Sequence, residues 1–123
     1  MTSPQDPIER KEGCVFCDRE KIASPILLES GKCLVFAPLN PVVDGHLLVV
    51  PKNHVSDFTE DPETFLEAAM VASIFAGENG GAYNLITSKG AEASQSVFHL
   101  HIHLIPRRAN DGLLLPWPQT STP

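Results

Sequence analysis

The segment VFHLHIHLIP, residues 97–106, has the strongest strand signal in the chain. Histidine alternates with apolar residues here, and successive side chains of a β-strand point to opposite faces. The pattern therefore predicts one face that joins the core and a second face that carries His99, His101 and His103. We expect the strand to end at Pro106.

Three explanations for the histidine face follow from the residues alone. The first is a half-buried strand whose polar side happens to be histidine. The second is a metal site, because neutral imidazoles bind zinc, copper or iron. The third is nucleophilic catalysis, in which a histidine forms a covalent intermediate while its neighbours donate hydrogen bonds to the group under attack.

Patterns elsewhere predict the partners of this strand. ILLES and KCLVFA, residues 26–30 and 32–37, predict a hairpin, GHLLVVP at 45–51 predicts a third strand, and AYNLITS at 82–88 predicts a fourth. CVFCDREKIAS at 14–24 predicts a short helical turn. The fold class we expect is α+β, with a mainly antiparallel sheet of about five strands, one long helix and one short helix.

The long helix is predicted to begin at Pro62, with Asp61 as its N-cap. Gly77 is predicted to end it. Five apolar residues at helical spacing predict the face that covers the sheet, and they are Phe65, Leu66, Ala69, Met70 and Ile74.

Length and charge limit the class of protein. A chain of 123 residues predicts one domain, which we place at residues 13–117, between a flexible leader at 1–12 and a flexible tail at 118–123. A formal charge of −6 argues against a nucleic-acid polymer or an anionic membrane as partner. The N-terminus has no apolar signal segment, and no apolar run approaches the roughly 20 residues that span a bilayer, so we expect a cytoplasmic protein.

The chain has three cysteines, and two of them form the C-x-x-C motif of Cys14 and Cys17. A cytoplasmic setting disfavours structural disulfides, so this motif is better read as a metal site or a redox pair. Cys33 is predicted to be a buried strand cysteine.

Together, HLHIHLIP, the preceding QSV at 95–97 and GHLLVVPKNH at 45–54 resemble the histidine-triad (HIT) family of nucleotide hydrolases and transferases. The resemblance extends over roughly residues 14–117. It implies the HIT-like fold, a homodimer, and an enzyme that cleaves the α-phosphate linkage of a nucleotide-type substrate. That substrate would be a nucleoside phosphoramidate, a dinucleoside polyphosphate or a related ester, and the intermediate a nucleotidyl-histidine.

The same resemblance implies a role for each catalytic residue. His101 corresponds to the nucleophile, and His103 to the histidine that contacts the phosphate. His46 corresponds to the fourth active-site histidine, and Ser96 to a hydroxyl near the leaving group.

A structural zinc site is implied as well, because bacterial members of the family with an N-terminal C-x-x-C resemble this chain. Its ligands would be Cys14, Cys17, His54 and His99. Four ligands of this kind complete a tetrahedral site without an open position for water, so the metal would be structural.

Four further residues are implied in nucleotide binding: Asn40, Ser88, Gln95 and Trp117. The sequence departs from the family at three positions. Pro38 stands where a ribose-binding acid or asparagine is usual, Ser88 where asparagine or glutamine is favoured, and Ser94 where glycine is usual. Asn40 is the residue that would compensate for Pro38.

Two other functions remain alternatives at this point. A non-catalytic nucleotide-binding module would keep the fold and lose turnover, and a metal-binding protein would use the triad itself as ligands. The intact HLHIH motif with His46 and Ser96 favours an enzyme over a binding module.

Overall fold

A computed structural model describes residues 8–117, and its centre is one five-stranded sheet. The strands lie in the order β1-β2-β3-β5-β4, and every neighbouring pair is antiparallel. Their bounds are Ile26–Glu29 for β1, Cys33–Phe36 for β2, Leu47–Pro51 for β3, Ala82–Ile86 for β4 and Ile102–Arg107 for β5. With one main helix, this is the α+β fold that the sequence predicts.

The predicted domain bounds stay a prediction. The tail at 118–123 and residues 1–7 of the leader lie outside the described residues. Within the described part of the leader, the Glu9 amide donates to Asn53 Oδ1 at 2.8 Å, and the Glu9 carbonyl accepts from the His54 amide at 2.7 Å.

The main helix, α1, spans Pro62–Asn79 and has the predicted N-terminal cap, since Asp61 accepts from the Glu63 amide. The predicted end at Gly77 is wrong. The helix continues one half-turn further because Gly80 is the residue with positive φ, 68°, and its amide donates to the Ala76 carbonyl. The short helix is the single 3-10 turn Arg19–Lys21, and a second 3-10 turn, Ala91–Ala93, lies between β4 and β5.

The buried face of α1 agrees with the predicted one only in part. Thr64, Ala68 and Ala72 are buried against the sheet, and these small side chains let the helix approach it closely. Leu66, Met70 and Ile74 are more than half exposed on another face. Two residues of the predicted face, Phe65 and Ala69, do pack against the core. The helical spacing therefore holds for part of the prediction, whereas the other three predicted residues lie on an outer apolar face.

Both faces of the sheet centre are covered. Val35, Val49, Ile102 and Leu104 pack towards α1 with its two buried alanines. Leu34, Phe36, Leu48 and Val50 point to the other face, where partly buried residues of the N-terminal segment cover them, namely Phe16, Ile22 and Ile26. This two-sided burial explains why β2 and β3 read as continuous apolar runs.

Strand β5 begins five residues later than the strand signal predicts and continues through Pro106 to Arg107. In the register of the β3–β5 pair, where Val49 faces Ile102, Leu100 would face Pro51, which has no amide proton to donate. The Leu100 amide donates to the Val55 carbonyl instead, at 2.7 Å. Residues 97–101 therefore leave the sheet, and His99 faces a different region from His101 and His103.

Within residues 8–117, no helix has the length and apolar character needed to cross a membrane.

Candidate active site and metal centre

The fold divides the five histidines of the chain between two neighbouring sites. His101 and His103 line a pocket on the sheet face opposite α1, with His46 directly behind His103. His54 and His99 instead meet the two cysteines of the C-x-x-C motif. Two triad positions thus serve one site and the third serves the other.

A backbone carbonyl fixes the ring of His101. Its Nδ1 lies 2.8 Å from the His99 carbonyl oxygen. A carbonyl can only accept, so Nδ1 carries the proton and the neutral ring keeps a lone pair on Nε2. Burial lowers the pKa of His101 below its usual 6.5. At neutral pH the ring is therefore uncharged, with Nε2 available to a bound group.

A chain of hydrogen bonds also fixes the proton of His103. The Val42 amide donates to His46 Nδ1 at 3.1 Å, so the neutral His46 ring carries its proton on Nε2. That Nε2 lies 2.9 Å from His103 Nδ1 and donates to it. The remaining proton of His103 therefore sits on Nε2.

Burial keeps this histidine pair uncharged at neutral pH. It lowers the pKa of His46, and burial together with the neighbouring His101 and His46 lowers that of His103 to about 4. His103 consequently acts as a neutral hydrogen-bond donor through Nε2, at a ring-centroid distance of 5.1 Å from His101.

The pocket beside these rings has a volume of about 370 Å³, the size of a small-ligand site. Its polar lining consists of Lys21, Ser24, Ser96, His101 and His103, and the rest of its lining is apolar. The apolar residues are Val15, Phe16, Ile22, Ala23, Phe36, Ala37, Pro38, Leu39, Leu48 and Val97. The volume and the largely apolar lining suit a small organic group, with the two histidines supplying polar atoms in the wall.

Cys14, Cys17, His54 and His99 come together as predicted, with their ligand atoms all within 4.8 Å of one another. His99 Nδ1 lies 3.1 Å from His54 Nδ1, 3.4 Å from Cys14 Sγ and 3.5 Å from Cys17 Sγ. Tetrahedral zinc with ordinary bond lengths requires roughly 3.3 Å between nitrogens and roughly 3.5 Å between nitrogen and sulfur. The four side chains therefore fit a metal ion of that size.

The protonation of His99 also suits a metal ligand. Its Nε2 donates to the Pro51 carbonyl at 2.7 Å, which leaves Nδ1 unprotonated and turned to the cysteines. Burial lowers the pKa of His99 to about 4, with the Pro51 hydrogen bond opposing the shift. His99 thus presents an unprotonated Nδ1 to His54 and both cysteines, as a metal ligand requires.

The structure places the predicted nucleotide-binding residues outside the described lining of the pocket. Gln95 is buried and braces its own loop, since it accepts from the Gly90 amide and donates to the Ser56 and Val97 carbonyls. Ser88 is half-buried, and Asn40 and Trp117 are exposed. Pro38, in contrast, does line the pocket.

Ser94, the third departure from the family pattern, adopts φ 70° at the end of the 3-10 turn. This is the left-handed region, where glycine is accommodated at no steric cost. Ser94 therefore adopts a backbone conformation that favours glycine.

Several residues that shape the site were not predicted from the sequence. Phe16 packs edge-on against His101, with ring centroids 5.3 Å apart. Thr87 Oγ1 donates to the His101 carbonyl at 2.8 Å. Val42 and Pro51 act through backbone atoms, which no sequence pattern marks, whereas the position of Phe16 between the two cysteines is a signal that could have been used.

A comparison with family models matches residues 19–110 to the HIT domain. The chain belongs to the HIT family. An adenosine 5'-monophosphoramidase of Saccharomyces cerevisiae is 33% identical over 126 residues, which cover 98% of this chain and 80% of that protein. An adenylylsulfatase of Arabidopsis thaliana is 37% identical over 109 residues, which cover 81% of this chain but only 55% of that protein.

Among solved structures, a Zn-bound histidine triad family protein from Mycobacterium smegmatis matches with a TM-score of 0.69 and 34% identity. The match covers 83% of this HIT chain and 80% of that one. Because the relatives with named activities are hydrolases, the prediction of a HIT-type enzyme acting on nucleotides is confirmed at the level of the family.

Proposed function

We propose that the protein hydrolyses the α-phosphate linkage of a nucleoside phosphoramidate or a related ester, through a nucleotidyl group carried on His101. The observation that carries the proposal is the protonation of the two pocket histidines. His101 presents an unprotonated Nε2 and His103 a protonated one, side by side at the end of an apolar pocket. The named activities of the yeast and Arabidopsis relatives support this reaction class.

In the first step, the lone pair of His101 Nε2 forms a bond to the α-phosphorus while the bond to the leaving group breaks. His103 Nε2–H donates to a phosphoryl oxygen, where negative charge develops. The leaving group takes the broken bond's electrons and a proton from the Ser96 hydroxyl. Ser96 is exposed and regains its proton from solvent.

In the second step, water attacks the phosphorus from the side that the leaving group vacated. The bond between phosphorus and Nε2 breaks, the electron pair returns to His101, and the proton of water passes to solvent. The products are a nucleoside monophosphate and the unchanged ring. The His99 carbonyl holds Nδ1 throughout, so the ring offers the same nitrogen in both steps.

We propose zinc as the ion of the metal centre, with Cys14, Cys17, His54 and His99 as its ligands. A Cys2His2 set satisfies tetrahedral zinc, so the ion would supply stability and no open position for substrate. The division of the triad between the two sites argues against a metal centre built from all three triad histidines.

We further propose a homodimer through the outer face of α1 and the edge strand β4. Leu66, Met70 and Ile74 form an exposed apolar stripe at intervals of four residues. Strand β4 ends the sheet, and its Leu85, nearly half exposed, shares a strand face with Tyr83, which packs on the α1 side. A second copy would bury both surfaces.

The dimer prediction is tested by light scattering coupled to size exclusion. We expect a mass near twice the 13.4 kDa of the chain, and a single-chain mass for Met70→Glu at the same concentration. Leu27→Glu is the matched control, because Leu27 is equally exposed but lies on β1 at the opposite edge of the sheet. A wild-type mass of one chain would contradict the dimer.

The composition of the pocket predicts whether the enzyme distinguishes ribose from deoxyribose. A vicinal diol is usually held by a carboxylate or amide, and the described lining of this pocket contains neither. The side chains of Pro38 and Leu39, which line the pocket, offer no hydrogen bond. We therefore propose that the enzyme does not discriminate strongly between ribose and deoxyribose.

The experiment measures release of monophosphate from adenosine 5'-phosphoramidate, its 2'-deoxy analogue and adenylyl sulfate. We expect hydrolysis of the phosphoramidate, with kcat/KM for the two sugars within about 3-fold. Pro38→Asp should favour ribose by about 10-fold, the value of a charge-assisted hydrogen bond, while Leu27→Glu should leave the ratio unchanged. Absence of hydrolysis would contradict the function, and a wild-type ribose preference above 10-fold would contradict the sugar assignment.

The negative charge of the chain also limits the partner that we propose. The partner would be a nucleotide-type small molecule, with no nucleic-acid polymer and no membrane, as the charge of −6 suggests. The cytoplasmic location likewise stays a prediction.

A further inference from the structure

The two residues between the paired cysteines connect the metal centre to the substrate pocket. Val15 and Phe16 lie between Cys14 and Cys17, and both line the pocket that contains His101. The intervening turn is tight, since the Cys17 amide donates to the Cys14 carbonyl at 3.2 Å. Each cysteine of the motif is thus directly followed or preceded in the chain by a residue of the pocket wall.

Phe16 is the side chain that contacts both regions. Its ring packs edge-on against His99, a member of the metal cluster, at 5.9 Å, and against His101 at 5.3 Å. It also packs on Phe36 of β2 at 5.7 Å. Any movement of the Cys14–Cys17 turn therefore moves a wall of the pocket.

The turn is joined to the rest of the molecule through the cysteine sulfurs. Cys14 Sγ lies 3.4 Å from His99 Nδ1, and Cys17 Sγ lies 3.4 Å from His54 Nδ1. Upstream, the backbone of Glu9 is hydrogen-bonded to Asn53 and His54. Nearer the turn the hydrogen bonds stay inside the segment, such as Cys14 amide to Lys11 carbonyl and Lys11 amide to Cys17 Sγ. Residues 8–18 contain no helix or strand, so regular structure does not hold the turn in place.

We propose that occupancy of the metal centre sets the affinity of the pocket for nucleotide, with Phe16 as the positioning residue that transmits the effect. The inference rests on the proposed function for the nature of the ligand. Without the metal, the turn and Phe16 leave the pocket, and the apolar wall for the organic group of the substrate is lost.

Chemistry at His101 should be affected much less than binding. Its Nδ1 is held by the backbone carbonyl of His99, and the His99 ring stays attached to Pro51 through Nε2. Loss of the metal leaves both hydrogen bonds in place. The expected signature is therefore a raised KM with kcat within about 3-fold of its starting value.

The experiment titrates adenosine 5'-monophosphate by calorimetry into the metal-loaded wild type, the chelator-treated wild type, and Phe16→Ala in both states. Zinc content is measured on every sample. We expect chelation to weaken binding about 10-fold, and loaded Phe16→Ala to show the same weakening while it retains one zinc per chain. Chelation of Phe16→Ala should then weaken nucleotide binding by less than about a further 2-fold, because the apolar wall is already lost in this variant.

Two controls separate this route from general destabilisation. Phe58→Ala removes an aromatic ring that packs on Phe65, away from the pocket, and should keep the affinity and its response to chelator. Phe16→Leu, which restores apolar bulk, should recover most of the affinity. Trypsin cleavage after Lys11 or Lys21 should be faster after chelation, which reports release of the segment without any reference to activity.

Equal affinity of the loaded and chelated wild type would overturn the coupling. Additive effects of chelation and Phe16→Ala would show that Phe16 is not the route. Failure of the loaded wild type to bind the nucleotide at all would overturn the proposed function, and with it the inference that rests on it.

Discussion

Replacement of His101 with alanine is expected to lower kcat for adenosine 5'-phosphoramidate by at least about 10⁴-fold. The reason is that in the proposed mechanism His101 supplies the atom that bonds to phosphorus, and loss of a nucleophile removes the whole two-step route. The measurement is steady-state release of adenosine monophosphate, with enzyme concentrations high enough to detect the residual rate. Because the ring lies beside Phe16 and His103, the alanine variant also leaves a gap in the pocket.

His101→Asn is the matched variant that controls for this gap. The asparagine amide nitrogen can occupy the place of Nδ1 and keep the hydrogen bond to the His99 carbonyl, but it has no counterpart of Nε2. We expect the same loss of kcat with near-normal nucleotide binding and unchanged zinc content. Turnover within 10-fold of wild type in either variant would contradict the role of His101.

Removal of the metal is expected to lower the melting temperature by about 10 °C or more. A structural zinc site contributes its binding free energy to folding. The proposed site would fasten the segment whose Phe16 and Ile22 cover one face of the sheet. In a domain of about 120 residues, this shift corresponds to a decrease of roughly 3 kcal/mol in the free energy of unfolding. The change in melting temperature is measured by calorimetric scans of the wild type with and without chelator. Cys17→Ser is scanned in the same way.

Cys33→Ala is the matched cysteine control. Cys33 is fully buried in β2 and lies outside the metal cluster. Its replacement should therefore leave the zinc content unchanged, and chelator should lower the melting temperature by the same amount as in the wild type. An unchanged melting temperature after chelation, or one tightly bound zinc in Cys17→Ser, would contradict the assigned metal site.

Local features of the fold were predictable because they depend on short-range chemistry. The hairpin about Gly31, the N-cap at Asp61 and the apolar runs of β2 and β3 all follow from neighbouring residues. The end of α1 was not, because both Gly77 and Gly80 fit a helix terminus and the hydrogen bond from Gly80 decides between them.

Errors arose where tertiary contacts decide the outcome. The buried face of α1 depends on how closely the helix approaches the sheet, so alanines are buried and Leu66 and Met70 are not. The late start of β5 depends on Pro51, which lies opposite the extrapolated strand and offers no amide proton. Periodicity alone contains neither kind of information.

The candidate site also has features that the sequence predicts and features that depend on tertiary contacts. The clustering of Cys14, Cys17, His54 and His99 was predicted through the resemblance to the family, and the geometry agrees with it. The protonation of the histidines could not be predicted, because it depends on the backbone groups of Val42, Pro51 and His99. Those groups have no signature in the sequence.

The central claim is a covalent bond between His101 Nε2 and the α-phosphorus. The most direct test mixes wild-type protein with adenosine 5'-phosphoramidate, stops the reaction within one turnover in alkaline denaturant, and measures the intact mass. The alkaline quench is needed because a phosphorus–nitrogen bond to histidine hydrolyses in acid. We predict a species heavier by one adenylyl group, mapped to His101 by peptide sequencing and absent from His101→Asn. An adduct on another residue, or single-turnover hydrolysis at full rate with no adduct at any time, would contradict the account.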